Sequence, residues 1–174
     1  MANFVLFQLG WLACVLGAAK GHAWAGTACA LLIVAWHVWR AARPLDELNL
    51  LLRVVLTGAV FDTLMVQLGL IGYASGVFVT GIAPHWILAL WALFATSLNV
   101  SMRWLKERMV MAALLGAASG PLSYWAAVRL GAATFERPMA AVIALALGWA
   151  IIMPLLLVLA KRHDGYTPRL EQAA

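Results

Sequence analysis

The residue with the clearest chemical potential in this sequence is Asp62, an acid inside a long apolar run from Leu48 to Gly72. A carboxylate midway through a membrane-spanning helix costs roughly 2.5 to 3.5 kcal/mol on insertion scales, so it normally faces a partner or a wet cavity. Gly58 and Gly69 share its helical face and permit another helix to approach closely. Asp62 is therefore the first candidate for a functional residue.

A second group of candidates lies on the apolar segment around residue 120. Small residues recur there at four-residue spacing, a pattern that permits close contact between membrane helices: Gly116, Ser119, Gly120 and Ser123. Tyr124 follows within a turn, and its hydroxyl group is expected to donate to Asp62 or to a ligand. Arg129 is expected to pair with an acid or an anionic headgroup. Ser119 stays a candidate contact, with ordinary helix packing as the alternative explanation.

Amide and indole side chains supply the other polar candidates. Asn99 and Gln8 are expected at similar depths on two helices, where an amide pair would join them, and helix packing is favoured over ligand binding for this pair. Trp86 and Trp91 are interpreted as interfacial anchors or core residues, and both are kept as candidate ligand contacts.

The sequence contains no recognisable catalytic or metal-binding set. It has no glycine-rich phosphate loop, no Ser-His-Asp arrangement and no paired carboxylates. Cys14 and Cys29 are interpreted as packing residues, and a haem pair formed by His22 and His85 is conceivable but has no other supporting feature. No metal site is expected and no cofactor is indicated. Enzyme activity is left open, with a non-catalytic role favoured.

The composition places these residues in a membrane. Hydrophobic residues make up 65% of the 174 positions and charged residues 11%, against about 25% charged residues in a typical soluble domain. The formal net charge is +5, but the basic residues lie at the ends of apolar segments and form no stripe, so nucleic acid is not an expected partner.

The apolar segments predict an all-α fold, a six-helix transmembrane bundle in one domain over residues 1–160. The expected spans are 3–19, 22–39, 48–72, 84–103, 109–130 and 138–160, followed by a short cytoplasmic tail over 161–174. The two halves of the chain show no shared motif to the eye.

The positive-inside rule orients this bundle. Nine basic residues fall on one face and Lys20, Arg129 and Arg137 on the other. The nine are Arg40, Arg43, Arg53, Arg103, Lys106, Arg108, Lys161, Arg162 and Arg169. Both termini are therefore expected in the cytoplasm.

Several strings resemble one uncharacterised family of small bacterial inner-membrane proteins, a domain of unknown function. They are Asn3-Phe4, Phe7-Gln8, Trp11 and Cys14; Asp62; Pro84, Trp86, Leu90-Trp91, Phe94-Ala95-Thr96 and Leu98-Asn99; and Leu115-Gly116-Ala117, Gly120-Pro121, Tyr124 and Arg129 to Ala132. The resemblance implies a multi-pass protein of the bacterial inner membrane. Relatives are often encoded beside enzymes resembling cyclopropane fatty-acid synthases and flavin-dependent oxidases, which implies a lipid-modifying enzyme as partner.

Three functions follow as hypotheses. The first is an accessory or lipid-binding component of membrane lipid or fatty-acyl modification, with Asp62 and Tyr124 as polar contacts in a cleft between spans three, four and five. The second is a small proton-coupled transporter that works as a homodimer, in which Asp62 titrates. The third is a membrane-embedded lipid enzyme. Membrane lipids are the expected partners in each case.

Overall fold

The structure, a computed structural model, describes residues 2–167 of the chain. This part contains six α-helices, a single 3-10 turn at Arg103–Leu105 and two strands of three residues each. The helices are α1 (Ala2–Ala19), α2 (Ala23–Arg40), α3 (Pro44–Gln67), α4 (His85–Leu98), α5 (Met109–Arg129) and α6 (Pro138–Arg162); the strands are β1 (Ile71–Tyr73) and β2 (Ala133–Phe135). The predicted helical class and the six helices are confirmed.

Four helices, α1, α3, α5 and α6, are long and apolar enough to cross a membrane. The helix α4 has 14 residues, or roughly 21 Å at 1.5 Å per residue, against about 30 Å for the hydrocarbon core of a bilayer. The helix α2 has 18 residues, but His37 and Arg40 in its last turn make that end polar. These lengths and compositions indicate a membrane protein.

Two helices end earlier than the sequence predicted. The helix α3 runs from Pro44 to Gln67 instead of 48–72, because a proline and two acids suit the first turn and Gly69, at φ 60°, suits the turn that ends it. Asp62 therefore lies about 7.5 Å from the end of α3 and not at its middle. The helix α4 ends at Leu98 and not near residue 103, so residues 99–108 form a turn that carries Asn99 and Lys106.

The helices alternate in direction, so that the bundle has two distinct ends. At one end the side chain of Asn3 donates to the carbonyl oxygen of Thr96, and that of Asn99 donates to the carbonyl oxygen of His163. We call this the polar end; it holds the starts of α1, α3 and α5 and the ends of α2, α4 and α6. The opposite end, called the ribbon end, holds the antiparallel pair of β1 and β2.

The short helix α4 forms the centre of the bundle. It contacts α1, α2 and α3, and also α6. Its sequence is apolar on all sides, which is typical of a helix surrounded by protein, and ten of its 14 residues are buried. The outer helices instead expose leucine, isoleucine and valine side chains, as expected where the surrounding solvent is hydrocarbon.

The unit formed by α3 and β1 recurs in α5 and β2 with an offset of 62 residues. The sequence Val66-Gln-Leu-Gly69 corresponds to Val128-Arg-Leu-Gly131. Both helices end with the same backbone bonds: the residue after the glycine donates to Met65 in one unit and to Ala127 in the other. Both glycines have positive φ. The match escapes inspection because only the helix ends resemble each other.

The strand register relates the two units by an approximate two-fold axis. Gly72 pairs with Thr134, its own counterpart at the same offset, which places the axis between these two residues. The tryptophans of the two helices that follow, Trp91 of α4 and Trp149 of α6, stack with centroids 4.9 Å apart and an interplanar angle of 7°. The bundle is thus α1 and α2 packed onto two related helix pairs.

A glycine of each unit accommodates one of these tryptophans. A Cβ atom at Gly58 would lie 2.1 Å from the ring of Trp91, and a Cβ atom at Gly120 would lie 2.4 Å from the ring of Trp149. Gly116 and Gly120 of α5 therefore pack against α6.

We expect Gly120→Ala to lower the free energy of unfolding by about 1 to 3 kcal/mol, the usual cost of overpacking a close contact. Ser119→Ala is the matched control, because the Ser119 hydroxyl is exposed and donates to the carbonyl oxygen of Leu115 in its own helix; its change should stay within about 0.5 kcal/mol. Unfolding in detergent, followed by circular dichroism, measures both. Equal stability of the two variants would contradict the tight contact with Trp149.

Candidate functional site

The carboxylate of Asp62 is fully buried and accepts three hydrogen bonds. The hydroxyl groups of Tyr73 and Tyr124 donate to Oδ1 at 2.5 and 2.8 Å, and the indole Nε1 of Trp91 donates to Oδ2 at 2.6 Å. The predicted bond from Tyr124 to Asp62 is confirmed. Both carboxylate oxygens have donors, so Asp62 holds three aromatic side chains in fixed positions.

The repeat explains why these side chains meet. Asp62 and Tyr124 are counterparts at the 62-residue offset, so the two-fold axis brings them together on α3 and α5. Trp91 and Trp149 are the stacked pair from α4 and α6, and Tyr73 reaches Asp62 from β1. Chain segments that are far apart in the sequence thus converge near the ribbon end.

This aromatic group forms the wall of a cleft between α1 and α5, with α4 as its floor. The cleft has a volume of about 80 Å³ and contains no charged side chain among its lining residues. Trp11 of α1 closes one side by donating from Nε1 to the hydroxyl oxygen of Ser123 at 3.1 Å. The lining residues are Phe7, Trp11, Val15, Tyr73, Trp86, Ile87, Leu90, Trp91, Phe94, Ser123, Tyr124, Ala127, Ala133 and Trp149.

The cleft exists on one side of the two-fold axis because the two units carry residues of different size. On the α3 side, Phe61 packs so closely on α6 that a Cβ atom at Gly148 would lie 2.4 Å from its ring, and Met65 is buried nearby. Their counterparts on α5 are Ser123 and Ala127, which are small and line the cleft. The opening is therefore encoded by two small residues.

The indole of Trp149, a lining residue of the cleft, packs on Gly120 of α5. The indole Nε1 of Trp149 is buried and forms no hydrogen bond of normal geometry within the described residues, although its indole interacts with the hydroxyl group of Tyr124. Sequence analysis missed Trp149 and Tyr73. The matching helix ends of α3 and α5 are the signal that would have brought both to attention.

Of the other predicted candidates, Trp86 lines the cleft, whereas Ser119 and Arg129 lie outside the lining. Ser119 is exposed one turn from Ser123 and lies outside the cleft lining. Arg129 is exposed with its guanidinium over the ring of Trp125 at 5.7 Å, about 200° around α5 from Ala127. Trp86 is completely buried in the core and donates to the carbonyl oxygen of Ser75 at 3.0 Å.

The predicted amide pair between Gln8 and Asn99 is wrong. Gln8 is exposed, and both amide atoms of Asn99 have other partners at the polar end. Its Nδ2 donates to Glu47 Oε1 at 2.5 Å and its Oδ1 accepts from Lys106 Nζ at 2.6 Å. The connection from α1 to α4 is made instead by Asn3, which bonds Thr96 and accepts from Ser101.

Asn99 lies in a buried network of charged groups at the polar end. Lys106 Nζ donates to Asn99, to the carbonyl oxygen of Ala160 and to Asp164 Oδ2, the last at 2.8 Å. Glu47 accepts from Asn99 and from the backbone of Gly165, and lies 3.1 Å from His37 Nε2. The network joins α2, α3, α4 and α6 to the turn before α5 and to the first residues of the tail.

Opposite charges stabilise the ionised form of Asp164 in this network. Burial by itself would raise the pKa of Asp164, but the hydrogen bond and charge of Lys106, together with the charge of Arg103, outweigh burial and hold that pKa below its ordinary value. Sequence analysis missed the network because it placed Glu47 in a connector and not in the first turn of α3. Pro44, as the first residue of a helix with acids in its first turn, is the signal that predicts a helix containing Glu47.

The described residues contain no cluster of three or more histidine, cysteine, aspartate or glutamate side chains suited to a metal ion. The family model described as a protein of unknown function (DUF2878) matches residues 1–155. No curated protein and no solved structure matches the chain.

Proposed function

The chain belongs to the DUF2878 family of proteins of unknown function, and we propose that it is a lipid-binding accessory protein of membrane lipid or fatty-acyl modification. The observation that supports this proposal is the uncharged aromatic cleft between α1 and α5. Membrane lipids surround such a protein at high concentration, and an apolar cleft with few polar atoms is the form that small-molecule sites commonly take.

In this proposal Asp62 positions the site and does not touch the ligand. Its oxygens are occupied by Tyr73, Tyr124 and Trp91, and all three rings form part of the cleft wall. The cleft lies between α1 and α5 and not between spans three, four and five. Arg129 faces away from it, so its proposed role is a contact to an anionic headgroup at the ribbon end.

The proposal places the chain in the bacterial inner membrane with six spans and both termini in the cytoplasm. The gathering of basic residues at the polar end supports this orientation. In this arrangement α4 crosses inside a shell of other helices, so its short length is compatible with a span. A lipid-modifying enzyme is the proposed protein partner.

The two alternative functions receive less support from the geometry. A proton-coupled carrier acting as a homodimer needs an acid that exchanges protons along a wet path, whereas Asp62 is fully buried among three donors. A membrane-embedded lipid enzyme needs a nucleophile or acid–base pair in contact with substrate, and the cleft lining offers a serine hydroxyl and two tyrosine hydroxyls but no charged base.

Native mass spectrometry with lipid extraction tests the proposal. We expect a lipid to co-purify with the wild type and to fall at least tenfold in Ala127→Met, which places in the cleft the residue that the α3 unit carries as Met65. Leu114→Met, at an exposed position on the same helix, is the matched control and should retain the lipid. Equal lipid content in all three proteins would overturn the proposal.

A further inference from the structure

We propose that a groove between α1 and α2 binds an anionic phospholipid, with the headgroup on Arg40 and one acyl chain along the groove. This site goes beyond the proposed function, because the groove shares no lining residue with the cleft between α1 and α5. Three observations support it: the apolar lining of the groove, the position of the Arg40 guanidinium, and the pairing of the nearby acids with other groups.

The groove has an apolar lining and opens to the side of the bundle. It has a volume of about 330 Å³ and is lined by Leu6 of α1 and by Leu32, Ile33 and Trp36 of α2. Leu32 is 72% exposed and Trp36 is 41% exposed, so the groove faces the medium around the helices. In a membrane that medium is lipid, which makes an acyl chain the nearest apolar occupant.

Arg40 lies at the end of this groove. Leu32, Trp36 and Arg40 recur at four-residue spacing and therefore form one stripe along α2, of which Arg40 is the last helical residue. The Arg40 Cζ atom lies 5.5 Å from the centroid of the Trp36 ring, a distance at which an indole attracts a cation. A phosphate group on Arg40 would thus lie at the helix end, with its acyl chain directed along Trp36 and Leu32.

The charges around Arg40 favour an anionic headgroup. Arg40 forms no ion pair with any residue that the structure describes, and the two acids at the start of α3 have other partners. Asp46 lies 3.3 Å from Arg43, and Glu47 lies 3.1 Å from His37 Nε2. The guanidinium of Arg40 can therefore bind a phosphate through two hydrogen bonds. A choline headgroup would add a second cation beside Arg40, whereas a glycerol headgroup would not.

The pairing of acids also favours a lipid over a second copy of the chain as the occupant. A protein partner that covers the groove must bring an acid to Arg40, and each acid described at the polar end already pairs with a basic side chain of its own chain. These acids are Asp46, Glu47, Glu107 and Asp164. A phospholipid supplies both an anion and an apolar chain without breaking any of these pairs.

The test is a titration of delipidated protein in detergent, followed by native mass spectrometry, with dioleoyl phosphatidylglycerol and dioleoyl phosphatidylcholine as probes with the same chains. The wild type should bind phosphatidylglycerol about fivefold more tightly, the effect of one basic residue near the membrane surface. Arg40→Gln should remove this preference. Arg108→Gln is the matched control and should keep it, because Arg108 lies 5.7 Å over the ring of Trp104 but neither residue lines the groove.

A second pair of variants tests the groove itself. Leu6→Trp fills the groove and should weaken the binding of both lipids at least fivefold. Leu9→Trp, at an exposed position of α1 outside the lining, should leave both affinities unchanged. The thermal midpoint of each variant shows whether it is folded, and the Arg40→Gln comparison still decides the headgroup if Leu6→Trp fails to fold.

The outcomes separate this site from the proposed function. Equal affinity of the wild type for the two lipids, or a preference that Arg40→Gln keeps or Arg108→Gln loses, would overturn the headgroup site on Arg40. Survival of the preference in Ala127→Met, which fills the cleft, would support the groove whether or not the cleft binds lipid. Loss of the preference in Ala127→Met would place the lipid in the cleft and overturn the groove. Dimers that dissociate in Leu6→Trp would show that a second copy covers the groove, and would also overturn the proposal.

Discussion

Replacing Lys106 by methionine is expected to lower the free energy of unfolding by about 3 to 5 kcal/mol, the usual cost of removing one partner from a buried ion pair. The ammonium group of Lys106 is almost completely buried and donates to Asn99, Ala160 and Asp164. Methionine fills a similar volume and supplies no donor. Arg103 remains bonded to Asp164 Oδ1 but cannot replace the donor at Asn99 and Ala160.

The matched control for Lys106 is Lys161→Met. Lys161 pairs with Glu107 at 2.9 Å, but the glutamate side chain is 82% exposed, and exposed pairs contribute about 1 kcal/mol or less. Unfolding in a mixed detergent series, followed by circular dichroism, compares the two variants. A loss at Lys106 as small as that at Lys161 would contradict a buried network that holds the polar end together.

Helix number and most helix boundaries could be predicted from the sequence because hydropathy and charge act locally. The starts of α5 and α6 and the end of α1 agree with the predicted spans to the residue. The misplaced end of α3 follows from the local signal of Gly69, whereas the misplaced end of α4 depends on interactions with other parts of the chain. Leu98 ends α4 where Asn99 turns toward Glu47 and the carbonyl oxygen of His163, and these partners lie far away in the sequence.

In the candidate site, too, local signals could be predicted and contacts between distant parts of the chain could not. The cost of an acid in hydrocarbon correctly indicated that Asp62 has polar partners. The position of Tyr124, within a turn of the small residues on its segment, indicated that its hydroxyl group is one of them. Trp149 and Tyr73 could not be placed, because their approach depends on the two-fold relation between α3 and α5. The roles proposed for these residues, and for Arg129 and Ser119, remain predictions.

Removing the carboxylate of Asp62 is the second change with a large expected effect. Asp62→Leu leaves three buried donors, on Tyr73, Tyr124 and Trp91, without their acceptor. Each unpaired donor costs about 1 to 3 kcal/mol, and because neighbouring losses are not additive we expect a total of about 3 to 5 kcal/mol. Asp62→Asn should lose less, since its one carbonyl oxygen still accepts from the tyrosines while its amide group faces the indole donor.

A triple variant distinguishes lost hydrogen bonds from lost packing. Adding Tyr73→Phe and Tyr124→Phe to Asp62→Leu removes two of the unpaired donors, and phenylalanine already occupies the position equivalent to Tyr73 in β2, as Phe135. Because replacing both partners of a buried hydrogen bond by apolar groups is nearly neutral, the triple variant should be more stable than Asp62→Leu alone. A triple variant less stable than the single one would mean that the hydroxyl groups have other acceptors, and that Asp62 does not organise the aromatic wall.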